Sequence, residues 1–229
     1  MRMTRNNKSS ILFLTKEKDS HCLKAIDFIK NNFDLYEIYE GKWGDPLPKK
    51  IESWEGDYII SYLSRWIVPE RVIKNSRLAA INFHPASPDY PGIGCTNFAL
   101  YEEAKTYGVT CHHMEPKVDT GAIVSVKKFP IHASETVSSL LLKTYDSQLE
   151  LFYKIMKIIL KGEDLPVSKD KWIRKPFTRS EFNKLSIITP DMDREEIKKR
   201  IRATSHKSWQ PQIKIGGFLF EYKKDSQKK

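Results

Sequence analysis

Apolar positions along the chain follow two periods. The run at 10–15 is apolar without a break from Ile11 to Leu14 and predicts a strand buried on both faces. Over 21–33, Leu23, Ile26 and Ile29 recur in the three-residue steps of a helix face. Short apolar runs predict further strands at 34–39, 57–62 and 78–83, with a short helix at 69–75 before the last. This alternation of strand and helix predicts an α/β fold, with right-handed crossovers, a mostly parallel sheet and helices on both faces. Loops at the strand ends are then the expected place for a site.

Farther along, 95–107 reads as a helix, and 109–114 and 122–129 read as strands able to pair as an antiparallel edge. A long amphipathic helix over 136–161 follows from Val137, Leu140, Leu141, Tyr145, Leu149, Phe152, Ile155 and Ile159, which recur at steps of three and four. Asp193 with Glu196 marks a helix start for 193–203, and Gly216 and Gly217 separate two hairpin strands, 212–215 and 218–222. The closing KKDSQKK is expected to fray. These elements divide the chain into a main domain at 1–165 and a small C-terminal extension at 166–229, built of a helix and a hairpin.

Charge sharpens that division. The net charge is +10, and from Pro166 onward 17 Lys/Arg face 8 Asp/Glu, so the first 165 residues are nearly neutral. A basic extension suits an anionic partner, either a phosphorylated small molecule or a nucleic acid, and a solvated surface is the plainer alternative. With 40% apolar and 30% charged residues the composition excludes a disordered chain. Cys22, Cys95 and Cys111 are far apart and form no C-x-x-C pair, which fits a reducing compartment. The early run ILFLT is too brief for a secretory h-region and no stretch reaches the ~20 apolar residues of a membrane span, so a cytoplasmic location is expected. TKEKDS follows the first strand in place of G-x-G-x-x-G, and no Walker loop is present, which argues against a nicotinamide or P-loop nucleotide.

Candidate chemistry gathers in two places. Asn82 and His84 alternate at a strand end, so both face one side of the sheet while Phe83 faces the other, and Pro85, Pro88, Pro91 and Gly92 force an irregular loop after them. The second place is GVTCHHMEPKVDTGAI, with His112, His113 and Asp119. A carboxylate beside an imidazole fixes its tautomer and raises its basicity, which acyl transfer to an amine can use. His112 and His113 face opposite sides of a strand, so His112 is expected as a support and His113 at the surface or edge. His84, Cys111, His112 and Asp119 are zinc-ligand types, yet their spacing matches no closed zinc motif, so no metal is expected. Cys95 and Cys111 read as small buried apolar side chains.

The run NFHPASPDYPGIGCTNFALYEEAKTYGVTCHHMEPKVDTGAIV resembles the signature of the folate-dependent formyltransferases: an Asn, a spaced His, a Pro-rich loop, G-V-T-x-H, then Asp-x-Gly. The resemblance covers about 10–166 and implies a Rossmann-like core with 10-formyltetrahydrofolate as co-substrate. It assigns Asn82, His84 and Asp119 to the catalytic site, His112 to the motif histidine, and the backbone of Ser61, Tyr62, Leu63, Ser64 and Arg65 to the pterin. It implies direct attack by a neutral amine, with Asn82 and His84 stabilising the oxyanion and Asp119 holding His84.

Within that family the loop P-x-Y-P-G-I-G and the run G-V-T-C-H-H-M are similar to those of sugar N-formyltransferases, which implies a nucleotide-linked amino sugar, with dTDP suggested, as acceptor. Tyr90, Asn97 and Trp209 are candidate substrate contacts, each with an ordinary structural role as the alternative. A methionyl-tRNA formyltransferase would also explain the charge, but the tail of 64 residues is short for a tRNA-binding barrel and the S-L-L-P run after the site histidine is missing. A non-catalytic nucleic-acid-binding relative would show salt-dependent affinity without turnover, although nucleic acid is the less expected partner. The hairpin edge suggests a homodimer.

Overall fold

The computed structural model describes residues 9–207 and 209–223; residues 224–229 of the end expected to fray lie outside them. In chain order the elements are β1 (Ser10–Lys16), α1 (Ser20–Asn32), β2 (Leu35–Gly41), α2 (Lys49–Glu52), β3 (Gly56–Tyr62), α3 (Glu70–Ile73), β4 (Ser76–His84) and α4 (Cys95–Tyr101). They continue with β5 (Thr106–His113), β6 (Ile123–Pro130), α5 (Val137–Lys161), α6 (Arg179–Leu185), β7 (Ile187–Ile188), α7 (Arg194–Thr204), β8 (Gln212–Ile215) and β9 (Phe218–Glu221). A six-stranded sheet has the order β2-β1-β3-β4-β5-β6, parallel through β4 and antiparallel at β5 and β6. A second sheet joins β7, β8 and β9. The α/β reading and its antiparallel edge hold.

β1 is continuously apolar because both of its faces are covered. Ile11 and Phe13 pack under α1 and α5 with Ile26, Ile29, Phe152 and Ile155. Leu12 and Leu14 face the other way, toward Ile51 of α2 and Val72 of α3. The two faces are covered unequally: α5 is 25 residues long, whereas α2 and α3 are 4 each. Thr136 starts α5 with a capping box to Ser139, and Gly162 ends it in the left-handed conformation. Phe13, Tyr62 and Phe83 all meet the ring of Phe152, at centroid distances of 5.8, 5.2 and 5.4 Å. That cluster clamps the ends of β1, β3 and β4 to α5, and leaves the opposite face of the same strand ends free for polar side chains.

Several boundaries differ from expectation. The helix expected over 95–107 stops at Tyr101: Glu103 takes φ +54, and β5 starts at Thr106 rather than at 109. The helix expected at 69–75 is a single turn. Asp193 caps α7 as its pattern predicts, accepting from Glu196 N–H. Among the described residues no helix is long and apolar enough to cross a membrane.

After α5 the chain returns across the edge of the large sheet as a strap. Ser168 N–H bonds Ile123 O at 2.9 Å, and Arg174 pairs with Glu102 at 2.7 Å. Phe177 exchanges backbone bonds with Pro91 and Ile93, both 2.9 Å, and its ring stacks on Phe98 at 3.8 Å.

Candidate active site

Strand register builds the site. Ser61 of β3 lies beside Asn82 of β4, and Asn82 lies beside His112 of β5, so the three form a row across adjacent strands. Because β4 alternates, Asn82 and His84 face away from Phe83 and the α5 layer. Asp119 comes from the loop between β5 and β6, at φ +50. Gly121 closes that loop where a Cβ would meet His113 O at 2.0 Å.

One buried carboxylate then serves two imidazoles. His84 Nδ1 is 3.3 Å from Asp119 Oδ2, and His112 Nε2 is 3.3 Å from Oδ1. Each ring is fixed by its other nitrogen: His84 Nε2 donates to Tyr90 O at 3.0 Å, and His112 Nδ1 donates to His113 O at 2.8 Å. With Nε2 committed as a donor, His84 hydrogen-bonds Asp119 only when its ring carries both protons. Gly92 N–H adds a donor to Asp119 Oδ2 at 2.8 Å. Burial pushes the Asp119 carboxyl up, but His84, His112 and the Gly92 N–H outweigh it and hold the pKa at about 2.

Asn82 Nδ2 is 3.1 Å from His112 Nε2. A neutral His112 accepts one amide hydrogen there and a charged one turns its Nε2–H to Asp119, so in either state Asn82 keeps at least one N–H for a ligand.

Two cavities border this cluster, and a third adjoins the second of them. The first, about 150 Å³, lies over the row, bounded by Ser61, Asn82, His112 and Asp119 and by apolar walls from Trp66, Ile67, Val68 and Met114. The second, about 200 Å³, shares Ser64 and Asn82 with the first and adds Lys16, Arg65, His84 and Tyr145. The third, about 320 Å³, shares Arg65, Pro85 and Tyr145 with the second and opens between Trp43, Arg179, Phe182 and Trp209.

Each sequence candidate has a definite place. Ser61 and Ser64 line the first cavity, and Leu63, Ser64 and Arg65 line the second. Tyr62 packs into the opposite face, leaving only its backbone near the site. Leu63 takes φ +53, an uncommon conformation for a side chain of that shape, where the chain leaves β3. Tyr90 gives His84 its carbonyl, while its hydroxyl donates to Glu102 at 3.0 Å. Asn97 donates to Ala203 O at 2.6 Å, tying α4 to α7 at the wall of the third cavity. Trp209 lines that cavity, stacked on His206 at 4.1 Å. His113 is half-buried, and burial and the neighbouring His112 lower its pKa. Cys111 is buried, and burial raises its thiol pKa well above the ordinary value. Among the described residues no group of three His, Cys, Asp or Glu is arranged to hold a metal ion.

The sequence reading passed over Lys16, Trp43, Trp172 and Arg179. Lys16 stands at the end of β1, where strand order alone would have flagged it, held by Asp19 at 2.9 Å and over the Tyr145 ring at 4.5 Å. For Trp172 no local signal exists, since its contacts are long-range.

The formyl transferase family model matches residues 39–156, just over half of the chain and all of the His–Asp–Asn cluster. The chain belongs to this family. The formyltransferase is 33% identical over 123 residues to the bifunctional polymyxin resistance protein ArnA of Wigglesworthia glossinidia brevipalpis, covering 53% of this chain and 18% of that protein. It is 30% identical over 125 residues to the methionyl-tRNA formyltransferase of Enterococcus faecalis, covering 54% of this chain and 40% of the relative. The formyltransferase thus spans less than half the length of either. Its fold matches the crystal structure of an N-formyltransferase from Helicobacter canadensis in complex with folinic acid and dTDP-3-aminofucose, with a TM-score of 0.72 at 19% identity, over 91% of this chain and 85% of that one.

Proposed function

We propose that this formyltransferase moves a formyl group from 10-formyltetrahydrofolate to the amine of a nucleotide-linked amino-deoxy sugar, with Asn82, His84 and Asp119 as its catalytic residues. The observation that carries the reading is the chain of three cavities, with Asn82 lining the first two and His84 facing the second.

The first cavity suits a reduced pterin: its apolar walls match a flat ring, and Ser61, Ser64 and Glu115 supply polar groups at its margin. When bound, the folate supplies a formyl group on nitrogen, an acyl donor toward amines. Asn82 has an N–H to give to the oxygen that gains negative charge in acyl transfer. His84, oriented by Asp119, faces the second cavity beside Asn82 and is placed to stabilise the same oxygen. Asp119 is held ionised and is a weak base, so its task is to keep His84 oriented.

The second and third cavities suit the acceptor. Lys16 and Arg65 bring two cations to the middle cavity. Arg65 and Arg179 flank the third, resting on the Trp43 and Phe182 rings at 5.4 and 5.5 Å, and among the described residues neither has a carboxylate partner. Two open guanidinium groups favour a diphosphate, and the Trp43 and Trp209 rings offer faces to a base. The dTDP-sugar bound in the Helicobacter structure supports that choice of nucleotide. In this reading residues 1–165 form the catalytic domain, 166–229 the basic extension, and two copies associate through the hairpin.

Purified protein is to be incubated with 10-formyltetrahydrofolate and dTDP-, UDP- and GDP-linked amino sugars, alongside methionyl-tRNA, following tetrahydrofolate release. Release with a sugar nucleotide that His84→Ala abolishes is expected. Turnover with charged tRNA alone would instead support the activity named for the Enterococcus relative.

A further inference from the structure

The strap after α5 reaches the reactive cluster from a side that none of the three cavities touches. Trp172 stands edge-to-face to His112, at a centroid distance of 5.1 Å and 87°, and to His84, at 5.9 Å and 68°. Its Nε1 donates to Gly121 O at 2.8 Å, two residues past Asp119. It lines none of the cavities. Five residues on, Phe177 bonds the backbone on both sides of Gly92, the residue whose N–H donates to Asp119. One segment therefore touches both imidazole rings and the backbone on either side of the residue that donates to the carboxylate.

We propose that Trp172 is a positioning residue: its indole closes the back of the His84–Asp119–His112 cluster against water and holds both imidazoles in plane. The proposal rests on the reading of that cluster as the reactive one. Excluding water there strengthens the polar contacts within the cluster, and the hydrogen bond to Gly121 ties the indole to the turn that carries Asp119.

Three variants test it. Trp172→Phe keeps a ring without the N–H, Trp172→Leu keeps apolar bulk without a ring, and Trp172→Ala removes all of these. In substrate-free protein, the downfield proton resonances of the imidazole N–H groups are expected in slow exchange in wild type and Phe, and lost to water exchange in Ala. In turnover with the acceptor found above, Ala is expected to lower kcat by about tenfold with KM for both substrates within about twofold, and Phe to recover most of the loss. Leu is expected to fall between them, and it keeps the test open if Ala fails to fold. Retained resonances and unchanged kcat in Leu or Ala, with only a lower Tm, would overturn the proposal, as would a rise in KM at constant kcat. If wild type turns over no acceptor, the functional reading fails, while the resonance comparison, which needs no substrate, still decides the seal.

Discussion

Asp119 sits with a left-handed backbone and a carboxylate that takes hydrogen bonds or charge from Gly92, His84 and His112. Its folded pKa of about 2 lies below that of an unfolded aspartate, so the ionised form stabilises the fold. That stabilisation is complete above about pH 4, is lost as pH falls through 2, and is worth roughly 2 kcal/mol. Denaturant melts of wild type and Asp119→Asn are therefore expected to differ at pH 7 and to converge as pH drops from 4 toward 2. Asn82→Ala removes the free amide donor, and single-turnover rates are expected to fall about 10² to 10³-fold while circular dichroism is unchanged. Asn82, His84 and Asp119 were readable because they stand in one linear run with strand spacing. Trp172 was not, because its meaning lies in contacts with residues 60 to 90 positions earlier, which no periodicity records.

Among the elements, the loop after β4 depends on Gly92. At φ +91, a Cβ on Gly92 would lie 2.4 Å from Phe177 O, so Gly92→Ala meets both backbone strain and a clash with main chain. A loss of roughly 2 kcal/mol or more in thermal unfolding is expected, together with weakened catalysis as the Asp119 donor moves. Strands that alternate or run continuously apolar, such as β1 and β4, were legible because each face has a partner layer. α4 was overread because its apolar residues continue in step past Tyr101, and only the positive φ of Glu103 turns the chain. The short α6 was missed although Thr178 and Glu181 form a capping box, because seven residues hold too little periodicity to register.

For the whole molecule, one face of the small sheet presents Ile215, Phe218 and Phe220, each more than half exposed, on a two-stranded hairpin with β9 at its edge. A second copy covering this face is expected, so that Phe218→Lys with Phe220→Lys shifts light-scattering mass from dimer to monomer while folate binding persists. The strap between α5 and α6 comes late enough in the chain for the core to assemble ahead of it. As the chain leaves the ribosome, the six strands and α5 can close around Phe152 once residue 161 has emerged. The clamp on Gly92 and the indole behind His84 and His112 arrive only with residues 172–177. A nascent chain can thus be folded before it is competent, and the reactive cluster is the last part of the sheet's edge to be finished.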